Sequence, residues 1–135
     1  MLKNSIGVTA ILFLAAAIGG VLCVVLPAFL SGITRSYDAP LFAVLRTSVE
    51  NLRFLPTAIS LFVLGVGLGL LNPNHWLVLA VGTVAVFPVA AILEMMVDPS
   101  SHNLWPIEFL VYAVLGIPSI LGSWGGRLIA IRLRP

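Results

Sequence analysis

Residues 6–30 read IGVTAILFLAAAIGGVLCVVLPAFL, a stretch without one charged side chain. A helix rises about 1.5 Å per residue, so a run of this length crosses a hydrocarbon core about 30 Å thick. Ala15, Ala16 and Ala17 mimic the small-residue site at which a secretory leader is cut. The apolar run continues well past them, and the segment is read as a retained span. Three more runs of similar character follow, at about 55–71, 76–97 and 104–122. Together they take up most of the 135 residues, which are 60% hydrophobic and 9% charged, with a mean hydropathy of +1.14. So few charges cannot clothe a soluble domain of this size. The expected fold class is an all-α integral membrane protein: one domain, 1–135, with four transmembrane helices.

Local signals set the boundaries. Pro56 suits the first turn of the second span, where a missing N–H costs nothing. Asn72-Pro73-Asn74-His75 leaves room only for a tight turn, which makes spans two and three antiparallel neighbours. Asp98-Pro99-Ser100-Ser101-His102-Asn103 forms the third connection. Tyr37, Trp76, Trp105 and Trp124 fall near the predicted ends, where amphipathic rings settle at the membrane surface.

The first connection carries a pattern of its own. Over 40–54, Leu41, Leu45, Val49 and Leu52 recur at helical spacing, while Arg46, Glu50 and Arg53 occupy the opposite stripe. The spacing predicts one amphipathic interfacial helix between the first and second spans, with its apolar face toward acyl chains or the bundle. Asp38, or Ala39 if Pro40 takes the first helical position, is the expected cap.

If the four runs cross in turn, all five acids (Asp38, Glu50, Glu94, Asp98 and Glu108) lie on one side. Arg35, Arg46 and Arg53 share that side, while Lys3, Arg127, Arg132 and Arg134 lie on the other with both termini. The two faces then carry −2 and +4, which make up the net +2. Basic residues flanking spans mark the cytoplasmic side, so both termini are expected in the cytoplasm of a multi-pass plasma (inner) membrane protein.

Glu94 and Asp98 stack four residues apart, His102 follows, and Glu108 opens the fourth span ahead of Tyr112. Carboxylates and imidazole together bind cations or pass protons. Glu94, Asp98, His102, Glu108 and Tyr112 are therefore the candidate ion or proton site, alternative to ordinary local roles: Glu108 at a positive helix end, Asp98 as a stop before its proline. Glu94 resists that explanation, because an unpaired ionisable group one turn inside the boundary costs about 1 to 3 kcal/mol. A line Glu108, Tyr112, Gly116, Ser119, Ser123 and a second line Thr83, Phe87, Ala90 or Ala91, Glu94, Asp98 would form a polar seam if they faced each other. Pro88 and Pro118 would add freed carbonyls at Val84 and Val114.

Gly65 and Gly69, and Gly122 and Gly126, have the spacing that permits close helix contact, with a neighbour in the same chain or with a second protein. The lone Cys23 excludes an internal disulfide and a cysteine metal cage, and no metal motif, cofactor motif or catalytic triad is present. The basic tail is too short for nucleic acid and suits anionic lipid. The expectation is a non-enzymatic accessory or structural subunit that associates through its glycine faces with itself or a larger membrane complex. Its partners are membrane lipids, not nucleic acid. The alternatives are an oligomeric cation- or proton-linked transporter and, less favoured, a lipid enzyme that would lack a nucleophile.

Overall fold

The computed structural model describes residues 2–32, 36–100 and 104–133, with side chains from residue 6 onward. Six helices and no strands occur among them: α1 (Leu2–Leu30), α2 (Ala43–Glu50), α3 (Phe54–Leu71), α4 (Trp76–Gly82), α5 (Val86–Val97) and α6 (Trp105–Leu133). Three segments, Ile6–Leu30, Phe54–Leu71 and Trp105–Leu133, are long and apolar enough to cross a membrane. The pair α4 and α5, bent by 45°, makes a fourth where it acts as one span.

The packing centres on α3 and α6. A methyl group added to Gly65 would run into the backbone of Ser119, and one on Gly69 into that of Ser123. From the other side, Gly122 lies against the carbonyl of Phe62 and Gly126 against that of Val66. Because the paired numbers ascend together, the two helices run parallel. Between helices bathed in acyl chains the hydrophobic effect gives little net attraction, so close van der Waals approach over small residues must hold them. The four glycines expected to serve helix packing thus each meet the backbone of the other helix inside the chain. Those surfaces are covered and do not face an outside partner.

The uninterrupted helix expected over 76–97 is corrected by a break at Thr83–Ala85. Pro88 has no N–H to offer the carbonyl four residues back, and its ring crowds that carbonyl. The chain answers by tightening: the N–H groups of Thr83, Val84 and Ala85 donate to Ala80, Val81 and Gly82, each three residues back. The Val84 carbonyl expected to be freed accepts the Phe87 N–H at 3.2 Å. The Thr83 hydroxyl donates to the Ala80 carbonyl at 2.7 Å, and Gly20 of α1 sits directly on the Thr83 carbonyl, where no side chain would fit.

The last helix continues to Leu133, past the expected end near 122, because Gly122 and Gly126 remain seated on α3. The segment expected as a helix over 40–54 is helical only at Ala43–Glu50. Its apolar side chains Leu45 and Val49, with Leu52 just beyond, pack on Val24, Phe87, Ala91 and Tyr112. That face therefore turns to the bundle. At the other end a second cluster joins Ala16, Leu68 and Leu79 to Leu12, Phe13 and Leu64.

Gly122→Ala should lower stability by about 1 to 3 kcal/mol, since the added carbon meets backbone that cannot swing aside. Gly67→Ala, with nothing within 4 Å of the new carbon, should not. Thermal unfolding of both variants in detergent checks this; equal midpoints would remove the glycine contact as the basis of the packing.

Candidate functional site

The acidic end of the molecule is organised by α2. Its N-cap is Phe42, not Asp38 or Ala39, and a phenyl ring cannot accept a hydrogen bond. The acceptor comes from another helix: the Phe42 N–H donates to Glu94 Oε1 at 2.8 Å. Glu94 is only 2% exposed. The residue least explained by its own segment is accounted for by one 52 positions away. The segment leading into α2 folds back over it, with the Tyr37 N–H donating to Thr47 Oγ1 at 3.0 Å and that hydroxyl donating to the Tyr37 carbonyl at 3.2 Å.

Beside Glu94 stands Tyr112, its ring stacked on Phe87 with centroids 5.9 Å apart and tilted against Phe109 at the same separation. Glu108, Glu94 and Glu50 and the Arg46 guanidinium all act electrostatically on the Tyr112 phenol. A cavity of about 30 Å³ opens among Arg46, Glu50, Glu108 and Tyr112, floored by Leu45, Val49, Phe87, Ala90 and Ala91. That is room for about one water molecule. Among the described residues, no three His, Cys, Asp or Glu groups converge as a metal cage.

Of the five residues expected to form the site, the fold brings together Glu94, Glu108 and Tyr112. Asp98 belongs to its own turn, where the Ser100 hydroxyl and N–H donate to Oδ1 at 2.6 and 3.0 Å. These bonds, the hydroxyl first, hold its carboxyl below the usual carboxylate range. His102 lies outside the described residues. Arg46 and Glu50 of α2 enter the cluster instead, as residues that sequence reasoning left on a solvated stripe. The available signal was that their stripe lies on the same side of the chain as every other acid.

The polar seam does not form. Phe87 is buried and stacks on the Tyr112 ring, and Val84 lies against Gly116, 3.4 Å from where a side chain would begin. The second half of the α6 line turns elsewhere: Ser119 abuts Gly65 of α3, and the Ser123 hydroxyl donates to the Trp76 carbonyl at 3.0 Å. The Ser119 hydroxyl is buried without a hydrogen-bond partner, as is that of Thr57. The described contacts below Tyr112 are those of packing.

Comparison with protein-family models, curated proteins and solved structures finds no significant match to this chain.

Glu94→Ala should leave the Phe42 N–H unpaired at a cost of about 1 to 3 kcal/mol and free the start of α2. Amide exchange of residues 42–46 should accelerate in that variant and stay slow in Glu94→Gln, which keeps an acceptor oxygen; equal exchange in wild type and Glu94→Ala would remove the capping role. For Asp98, a depressed folded-state value means that its turn is stabilised above the ordinary carboxylate range and loses that contribution as pH falls through the depressed value. Ser100→Ala should move the Asp98 titration midpoint upward in a carboxyl NMR titration, and an unmoved midpoint would refute the assignment.

Proposed function

We propose that this chain is a small, non-enzymatic membrane subunit with four spans, α1, α3, the bent α4–α5 pair and α6, and with α2 held in the interface on the acidic side. Both termini lie in the cytoplasm, on the face with four basic residues and no acids. The protein associates with itself or with a larger membrane complex through α1.

The observation that carries this reading is how little of α1 the chain itself covers. Only 17% of its most apolar window is buried within the molecule, against 28% for α3 and 33% for α6. The uncovered part is ordered: Ile11, Ile18, Leu22 and Phe29, all exposed, recur at intervals of seven, four and seven along one helix face. Such spacing suits side-by-side packing with another helix. The glycine faces of α3 and α6 are covered by each other, which leaves α1 as the open flank. A cluster with room for one water, above the packed Phe87 and Val84, favours binding over transport or catalysis.

In a Cys23→Ser background, Ile18→Cys at native expression should crosslink to a second copy or to another membrane protein, while Val63→Cys, exposed on α3, should not. A particle that is strictly monomeric in mild detergent, with no crosslink from position 18, would end this reading.

A further inference from the structure

The end of the molecule opposite the acids holds a second polar assembly with an apolar groove beneath it. Asn72, at the close of α3, donates from Nδ2 to Thr9 Oγ1 of α1 at 3.3 Å. Its Oδ1 lies 3.3 Å from His75 Nδ1. With the amide so oriented, Oδ1 can only accept, which makes Nδ1 the donor; Nε2, on the far side of the ring, donates to an anion only as the imidazolium. His75 is exposed, and its neighbour Trp76 carries the Arg127 guanidinium over its ring at 5.8 Å. Below Thr9 and His75 an open-sided groove of about 530 Å³ runs between α1 and α4, walled by Ile6, Ala10, Phe13, Leu14 and Val78. From Ile6 to Leu14 the helix rises about 12 Å, close to the depth of one leaflet.

We propose that this groove binds an anionic phospholipid of the leaflet on the side of the termini, one acyl chain lying between α1 and α4 and the phosphate at His75 and Arg127. Charge selects the occupant. Arg127 and Arg132 lie at this end of α6, whereas Asp38, Glu50, Glu94, Asp98 and Glu108 all belong to the opposite end. An anionic headgroup here meets cations and no opposing carboxylate, and each basic residue near a membrane surface favours it by about fivefold in affinity. The apolar walls ask for a chain of methylenes, and the two polar residues at the mouth ask for a headgroup. Ala10 and Phe13, at the middle of the groove, lie on a different face of α1 from Ile11, Ile18, Leu22 and Phe29, with Leu14 on the lip between, so a test at position 10 stands or falls separately from association through that stripe.

The test is native mass spectrometry of the delipidated protein titrated with phosphatidylglycerol or phosphatidylcholine of equal chain length. The first phosphatidylglycerol should bind in clear preference to phosphatidylcholine. Arg127→Gln should weaken that first site by about fivefold, and Ala10→Trp, which fills the groove, should abolish the preference. Leu14→Trp, on the exposed lip, repeats the test should Ala10→Trp not fold. Val89→Trp, in the separate groove between α5 and α6, should change nothing. Equal binding of the two lipids overturns the proposal, as does a preference that survives the groove-filling substitution. A photocrosslinker at position 10 should capture lipid; capture of polypeptide in its place overturns the proposal as well.

Discussion

Where Gly65 and Gly69 meet the backbone of α6, and Gly122 and Gly126 that of α3, two helices approach until main chain touches main chain. Everything else is arranged around that parallel pair. Among acyl chains a leucine gains little by turning inward, so contact must come from shape, and only residues without a Cβ permit this shape. Once α3 and α6 are locked side by side, the short turn Asn72–His75 has to return α4 along the same flank, and the Ser123 hydroxyl ties the start of α4 to α6 through the Trp76 carbonyl.

The bend at Thr83–Ala85 follows from the same economy of space. Pro88 makes a continuous helix costly, and the tightened turn before it keeps the carbonyls paired while redirecting α5. Gly20 lets α1 cross at this point, against the Thr83 carbonyl. The redirected α5 carries Phe87 and Ala91 to Tyr112 and presents Glu94 to the backbone of Phe42. A buried acid in a lipid-embedded helix ordinarily suggests ion traffic. Here its oxygen accepts a main-chain donor that the local sequence leaves unsatisfied, and α2 is fastened to the bundle.

Polarity in the molecule is consequently divided between two ends with different character. The acidic end is compact, with Arg46, Glu50, Glu108 and Tyr112 gathered around a cavity fit for one water and Glu94 buried close by. The basic end is open, with His75 exposed above a groove between α1 and α4. Between them the surface is apolar on every side, from Ile11 and Ile18 on α1 to Leu121 and Ile129 on α6.

Local patterns were legible without the fold. The apolar runs, the tight turn at Asn72–His75, the amphipathic spacing of Leu45 and Val49 and the segregation of acids from the basic tail are properties of neighbouring residues, and hydropathy and periodicity report them directly. Glu94 also stood out, since its cost inside an apolar helix is local. Its partner did not, because nothing within 50 residues of Phe42 announces that a backbone N–H will need a carboxylate. The glycine pairs announced close contact without saying with what. In a helix that is apolar all round, no contrast between polar and apolar faces marks the inside from the outside. Sequence alone therefore determined the helices and the electrical asymmetry of the chain. Which faces meet, where the third run breaks and what Glu94 holds were decided only by tertiary packing, in which backbone geometry and unpaired main-chain groups take the place of the hydrophobic pattern.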